Sequence, residues 1–198
     1  MSIKGMNFHG MHQPKRRIWQ RQSTPRYGWA LVALHWLTLV LIATACGLAW
    51  WLEDMPLSPL KLKLYAWHKW LGLMVLVLLP LRFWLRRIDP IDRVGELAPW
   101  EARLSSLVHG MLYGLMLLAP VLGWLHSSAA GFSVVWFGVL PLPDMVSKDP
   151  ALAEMLSELH QGAVYLLVGM IVLHALAAIY HHSIQKDSVL LRMAPWLR

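Results

Sequence analysis

Four apolar runs, each close to the ~20 residues that a hydrocarbon core demands, constrain this chain more than any other feature. They cover about residues 28–51 (GWALVALHWLTLVLIATACGLAWW), 64–85, 104–126 and 157–180. In lipid an isolated strand leaves its N–H and C=O groups unpaired, whereas a helix satisfies them internally. The predicted fold is therefore all-α, an integral membrane four-helix bundle. Trp29, Trp50, Trp51, Trp67, Trp70, Trp84 and Trp124 mark the ends of the runs, where aromatic belts form. Pro80 and Pro120 fall inside the second and third runs and are expected to kink them. Residues 127–156 are the longest connection, punctuated by Gly131, Pro141, Pro143 and Pro150.

Composition agrees with lipid as the solvent. Hydrophobic residues make up 57% and charged residues 15% of 198 positions, against roughly 45–50% and 25% in soluble domains. One membrane domain, residues 26–198, follows a polar, basic segment of residues 1–25 that has no apolar core of a secretory signal. That segment is expected to be a flexible cytoplasmic arm. The net charge of +7 does not point to nucleic acid, because the basic residues flank apolar runs instead of lining one amphipathic face. One side of the bundle receives Lys4, Lys15, Arg16, Arg17, Arg21 and Arg26, then Arg82, Arg86, Arg87, Arg93 and Arg103, then Lys186, Arg192 and Arg198. The other holds only Lys61, Lys63, Lys69 and Lys148. By the positive-inside rule both termini are expected in the cytoplasm. Cys46, the lone cysteine, lies within an apolar run and reads as packing.

Ten histidines supply the chemistry. His35 lies two turns into the first run, His68 at the outer start of the second, and His160 and His174 near opposite ends of the fourth. Fourteen residues on one helix give a rise of ~21 Å and return within ~40° of the same face. The fourth helix thus offers two imidazoles at two depths. Depth pairs His35 with His174 and His68 with His160, which suits two haem irons, each held by two axial histidines between helices. Polar helix contacts can explain one intramembrane histidine but not four at matched depths. A tetrahedral zinc site needs its ligands gathered at one depth. Gly72, Gly162 and Gly169 are candidates for close approach of a flat macrocycle. His109 is the best rival ligand, read as hydrogen-bonding to a propionate or neighbouring helix, while His9, His12 and His182 read as solvent-facing.

The segments LHWL at His35, WHKWLG at His68 and VHGMLYGLMLLAPVLGW from His109 resemble the bacterial cytochrome b561 family. So do LHQGAVYLLVGMIVLHALAAIYHH and the tail KDSVLLRMAPW. The resemblance spans about residues 26–198. It implies a di-haem b cytochrome of the bacterial inner membrane with axial ligands at His35, His68, His160 and His174. It also implies electron transfer from periplasmic superoxide to ubiquinone, the activity of a superoxide oxidase.

Two histidines saturate each iron, so substrate is expected to react at the haem edge. Lys61, Lys63 and Lys69 are candidates for steering superoxide, or for meeting propionates or headgroups. His181, ~10 Å beyond His174 and about 20° off its face, is a candidate for bonding or protonating a quinone. Arg82 is a candidate for holding a quinone or a propionate. Two other readings stand beside the superoxide oxidase. One is a cytochrome b subunit relaying electrons between a partner dehydrogenase or hydrogenase and the quinone pool. The other is a haem-free membrane scaffold or carrier. A protein partner is not required.

Overall fold

A computed structural model describes residues 27–88 and 98–197. The arm of residues 1–25, with His9 and His12, lies outside the described residues, as do Arg93 and Arg198. The chain forms α1 (Trp29–Glu53), α2 (Pro59–Ile88), α3 (Pro99–Ala129) and α4 (Pro150–Tyr180). A π-helical turn, His181–Gln185, continues α4, and a short 3-10 turn, Leu190–Arg192, lies in the tail. At 1.5 Å per residue, helices of 25 to 31 residues are long enough to cross a ~30 Å hydrocarbon core.

Three of the four, α1, α3 and α4, are also apolar enough to cross. The second run differs because α2 carries Lys61, Lys63, Lys69, Arg82, Arg86 and Arg87 along its length. Helices α2, α3 and α4 extend past their apolar runs, since their first turns are built from caps. Asp149 accepts hydrogen bonds from the backbone N–H groups of Ala151 and Leu152 at 3.0 and 3.1 Å, with Pro150 as first helical residue. Pro99 plays the same part in α3, where Glu101 accepts from the Ala98 N–H at 2.9 Å. Large apolar side chains such as Val77, Leu117, Leu166, Leu173 and Leu176 stand outward and exposed, as a lipid-facing surface requires.

The packed core lies midway along the helices. Leu41, Ile42 and Cys46 of α1 meet Val75 of α2, Leu112, Leu115, Met116 and Ala119 of α3, and Ala163, Leu167 and Met170 of α4. The helices pack as α1 on α2 and α3 on α4, joined through α2 on α3, while α1 and α4 make almost no close backbone approach. One end of the bundle carries the tail. Trp36 Nε1 donates to the Met193 carbonyl at 2.8 Å, and the Trp36 and Trp196 rings stand 5.3 Å apart. The other end carries a small hairpin in the longest connection, Val135–Trp136 against Leu140–Pro141. Its three-residue connection, 137–139, places Phe137 and Gly138 at φ 51 and 72, the left-handed region that tight hairpin turns use. Trp70 Nε1 donates to the Val135 carbonyl at 2.8 Å and ties the hairpin to α2.

Candidate haem-binding site

At the hairpin end, His68 of α2 and His160 of α4 face each other with ring centres 6.2 Å apart and planes at 90°. His68 Nδ1 lies 2.9 Å from the Ala45 carbonyl of α1, and His160 Nδ1 lies 2.8 Å from the Ala119 carbonyl of α3. A carbonyl only accepts, so each Nδ1 carries the hydrogen and each Nε2 keeps its lone pair for a metal. All four helices thus contribute to this end, two with imidazoles and two with the carbonyls that orient them. Gly123 of α3 completes the seat: a Cβ at this position would lie 3.1 Å from His160 Cε1.

At the tail end, the rings of His35 of α1 and His174 of α4 stand 6.3 Å apart at 59°. Here a side chain meets the imidazole and, by donating to Nδ1, sets the opposite tautomer from the hairpin-end pair, with the hydrogen of the neutral ring on Nε2. An Arg82 amino group donates to His35 Nδ1 at 2.7 Å, and the guanidinium also lies 5.5 Å from the Tyr113 ring. Arg82 Nε is buried without a hydrogen-bond partner. A buried donor left over beside two facing imidazoles calls for an anionic acceptor, and a haem propionate has that chemistry. The His109 ring lies 5.1 Å from His174, and its Nδ1 sits 2.6 Å from the Ser105 carbonyl one turn back on its own helix.

Two imidazole–metal bonds of about 2.0 Å on opposite sides of one iron, plus the half-width of each ring, place ring centres roughly 6 Å apart. Both pairs have that spacing, and His68 and His160 have the tautomer that ligation needs. Among the described residues no three His, Cys, Asp or Glu side chains converge to hold a bare metal ion. Paired histidines with a flat group between them therefore fit better than a protein-only metal cage.

The remaining candidates are dispersed. Lys61 donates to the Met55 carbonyl at 2.6 Å, and Lys69 to Ser127 Oγ at 2.6 Å, while Lys63 is exposed with its ammonium 5.5 Å from the Trp67 ring. His181 is joined at Nδ1 to Asp187 Oδ2 at 2.5 Å. His182, expected to face solvent, is half-buried with an unpartnered Nδ1. His126 Nδ1 lies 2.9 Å from the Ala153 carbonyl. Of the glycines singled out by sequence, a Cβ added at Gly72 would lie 3.8 Å from the Pro120 Cβ, an ordinary contact, while one at Gly162 or Gly169 would meet nothing within 4 Å. Gly123, the one against a ligand ring, was absent from that set. It forms a small-xxx-small pair with Ala119, the pattern of close helix approach, and that was the signal available.

Residues 26–196 match the family of prokaryotic cytochrome b561. The chain is 32% identical over 176 residues to cytochrome b561 homolog 1 of Escherichia coli K12, covering 86% of this chain and 97% of that one. It is 28% identical over 174 residues to cytochrome b561 homolog 2 of the same organism, covering 86% and 93%. A probable superoxide oxidase CybB of Yersinia pestis is 29% identical over 181 residues, covering 86% and 96%.

Proposed function

Because the chain belongs to the prokaryotic cytochrome b561 family, a family of haem b-binding membrane electron carriers, we propose that it holds two haems and passes electrons from periplasmic superoxide to ubiquinone. The observation that carries this reading is the two histidine pairs, with ring centres 6.2 and 6.3 Å apart at opposite ends of one bundle. Bound there, the haems supply single-electron transfer between the two faces of the inner membrane. The chain's own groups do the rest. His68 and His160 hold the outer haem and His35 and His174 the inner one, with Arg82 beside the inner pair to meet a propionate. The 29% identity to a probable superoxide oxidase supports superoxide as donor.

Superoxide is a small anion, and exposed lysines can raise its concentration at the outer haem. Lys63 is the exposed one of the three, while Lys61 and Lys69 donate to neutral acceptors, the Met55 carbonyl and Ser127 Oγ, and keep their charge. The test is stopped-flow mixing of purified protein with superoxide while the haem bands are followed. Reduction should be fast and should slow as salt rises, because the Debye length is about 10 Å at 0.1 M. Lys63→Glu should slow it further, while reduction by a small neutral donor should change little. A slow, salt-independent rate that ignores charge reversal would point to a relay subunit serving a partner dehydrogenase or hydrogenase.

Orientation gives a second expected result. A reporter fused after Arg198 should be active only in its cytoplasmic form, and one inserted near Lys148 only in its periplasmic form. The reverse pattern would exchange the donor and acceptor sides.

A further inference from the structure

The end of α4 is built in a way that the ligand pairs do not require. Past Tyr180 the helix widens into the π-helical turn His181–Gln185, a distortion found often at functional sites. Lys186 then adopts a left-handed conformation, φ 55, which reverses the chain. The reversal returns Asp187 to the start of the turn, where its N–H donates to the His181 carbonyl at 3.2 Å. Its carboxylate is pinned at both oxygens. Oδ1 accepts from the Val189 N–H at 2.9 Å and Oδ2 accepts from His181 Nδ1 at 2.5 Å. The two side chains are each 16% exposed, enclosed yet reachable.

A carboxylate fixed in this way dictates which nitrogen of the imidazole is free. With Nδ1–H committed to Asp187, Nε2 is the nitrogen offered to anything that approaches. The other charged and titratable groups nearby are few. Glu101 of α3 lies within electrostatic reach of both His181 and Asp187 and accepts from Gln185 at 3.0 Å, while Tyr180, His182 and Lys186 belong to the same stretch of chain.

We propose that Asp187 is a positioning residue for quinone reduction: its carboxylate holds His181 at Nδ1–H and stabilises the imidazolium, whose Nε2–H donates to one quinone oxygen and passes it a proton drawn from water. This rests on the quinone reading above. Two superoxide ions, one quinone and two protons give two dioxygen molecules and one quinol. The electrons come from superoxide, and both protons enter on the quinone side, one at each oxygen. His181 Nε2 delivers to the oxygen it bonds and is reprotonated from water, while Nδ1–H stays on Asp187 throughout. The logic is that of a carboxylate orienting a histidine base, where its loss turns the ring to the wrong tautomer.

The test compares Asp187→Asn, Asp187→Glu and His181→Ala in full-length, haem-loaded protein. Quinone reduction is followed with a short-chain ubiquinone, and imidazole nitrogen resonances are recorded on the reduced, diamagnetic protein. Asp187→Asn should lower kcat about 10- to 100-fold with a smaller change in KM. It should also shift His181 away from the Nδ1–H tautomer, and Asp187→Glu should restore much of both. A wild-type kcat in Asp187→Asn overturns the proposal. So does a slow variant whose His181 tautomer is unchanged, because Asp187 would then only close the turn. If His181→Ala also reduces quinone at the wild-type rate, the placement of quinone at His181 falls as well. A slow His181→Ala beside a normal Asp187→Asn removes Asp187 alone.

Discussion

Replacing His35 or His174 by Ala is expected to remove the inner haem and leave most of the outer one, while His68→Ala or His160→Ala does the reverse. In the proposed ligation each substitution would delete one of two axial bonds and leave a single imidazole to hold that haem. Haem content should fall by half in every case. The two halves are distinguishable, because the axial rings stand at 90° in one pair and 59° in the other, and ring orientation affects the low-spin iron's magnetic spectrum. Pigment analysis with low-temperature optical and magnetic spectra checks this. Loss of the same haem in His35→Ala and His68→Ala would break the pairing. His109→Ala provides the control for the rival ligand. With His109 Nδ1 held by Ser105 and its ring beside His174, its loss should perturb the inner haem's spectrum and still leave two haems bound.

A side chain at position 123 should act on the outer haem alone, in proportion to its size. Gly123 backs onto the His160 ring with no room to spare: an added Cβ would lie 3.1 Å from Cε1 and 3.2 Å from Nδ1, inside ordinary carbon contact distance. Gly123→Ala can be absorbed by a movement of a few tenths of an ångström, which would weaken the His160 bond to the Ala119 carbonyl. That variant should keep both haems and shift the midpoint potential of the outer one. Gly123→Leu cannot be absorbed in the same way and should lose nearly all of the outer haem. The inner haem, on the far side of the Leu115–Leu167 core, should keep its potential in both. A redox titration that moves the inner haem first, or a Gly123→Leu variant with full haem content, would show that α3 does not seat the ligand.

The helices and the facing histidines were legible because both are written in periodicity. A fourteen-residue register on one helix fixes face and depth together, and lipid leaves the chain few alternatives to helix. What escaped was set by contacts remote in sequence. The carbonyls of Ala45 and Ala119 orient two histidines, and backbone groups carry no residue signature. The sequence marks Arg82 as a quinone or propionate contact. Its hydrogen bond to His35 lay outside that reading, because only the fold brings residues forty-seven apart together at α1 and α2. The apolar run about 157–180 does not mark where α4 begins, because the turns from Pro150 are capped by Asp149 and carry polar residues, so that part of the helix leaves no apolar signature. The longest connection was read as a loop with breakers, and its hairpin escaped because Phe137 occupies a left-handed position that glycine or asparagine more often marks.

The near absence of backbone contact between α1 and α4 also bears on biogenesis. The chain can enter the membrane as two helical hairpins, α1–α2 and then α3–α4, each stable enough in lipid to wait for the other. Their second seam has little protein to zip it. In the proposed reading a haem between His35 and His174 would fill it and bolt the last helix to the first, while one between His68 and His160 would bolt the last helix to the second. Maturation of this bundle would then be ordered by pigment supply: before loading, the seam is where the two halves can breathe apart, and a membrane protease that samples such openings would find the pigment-free chain there first.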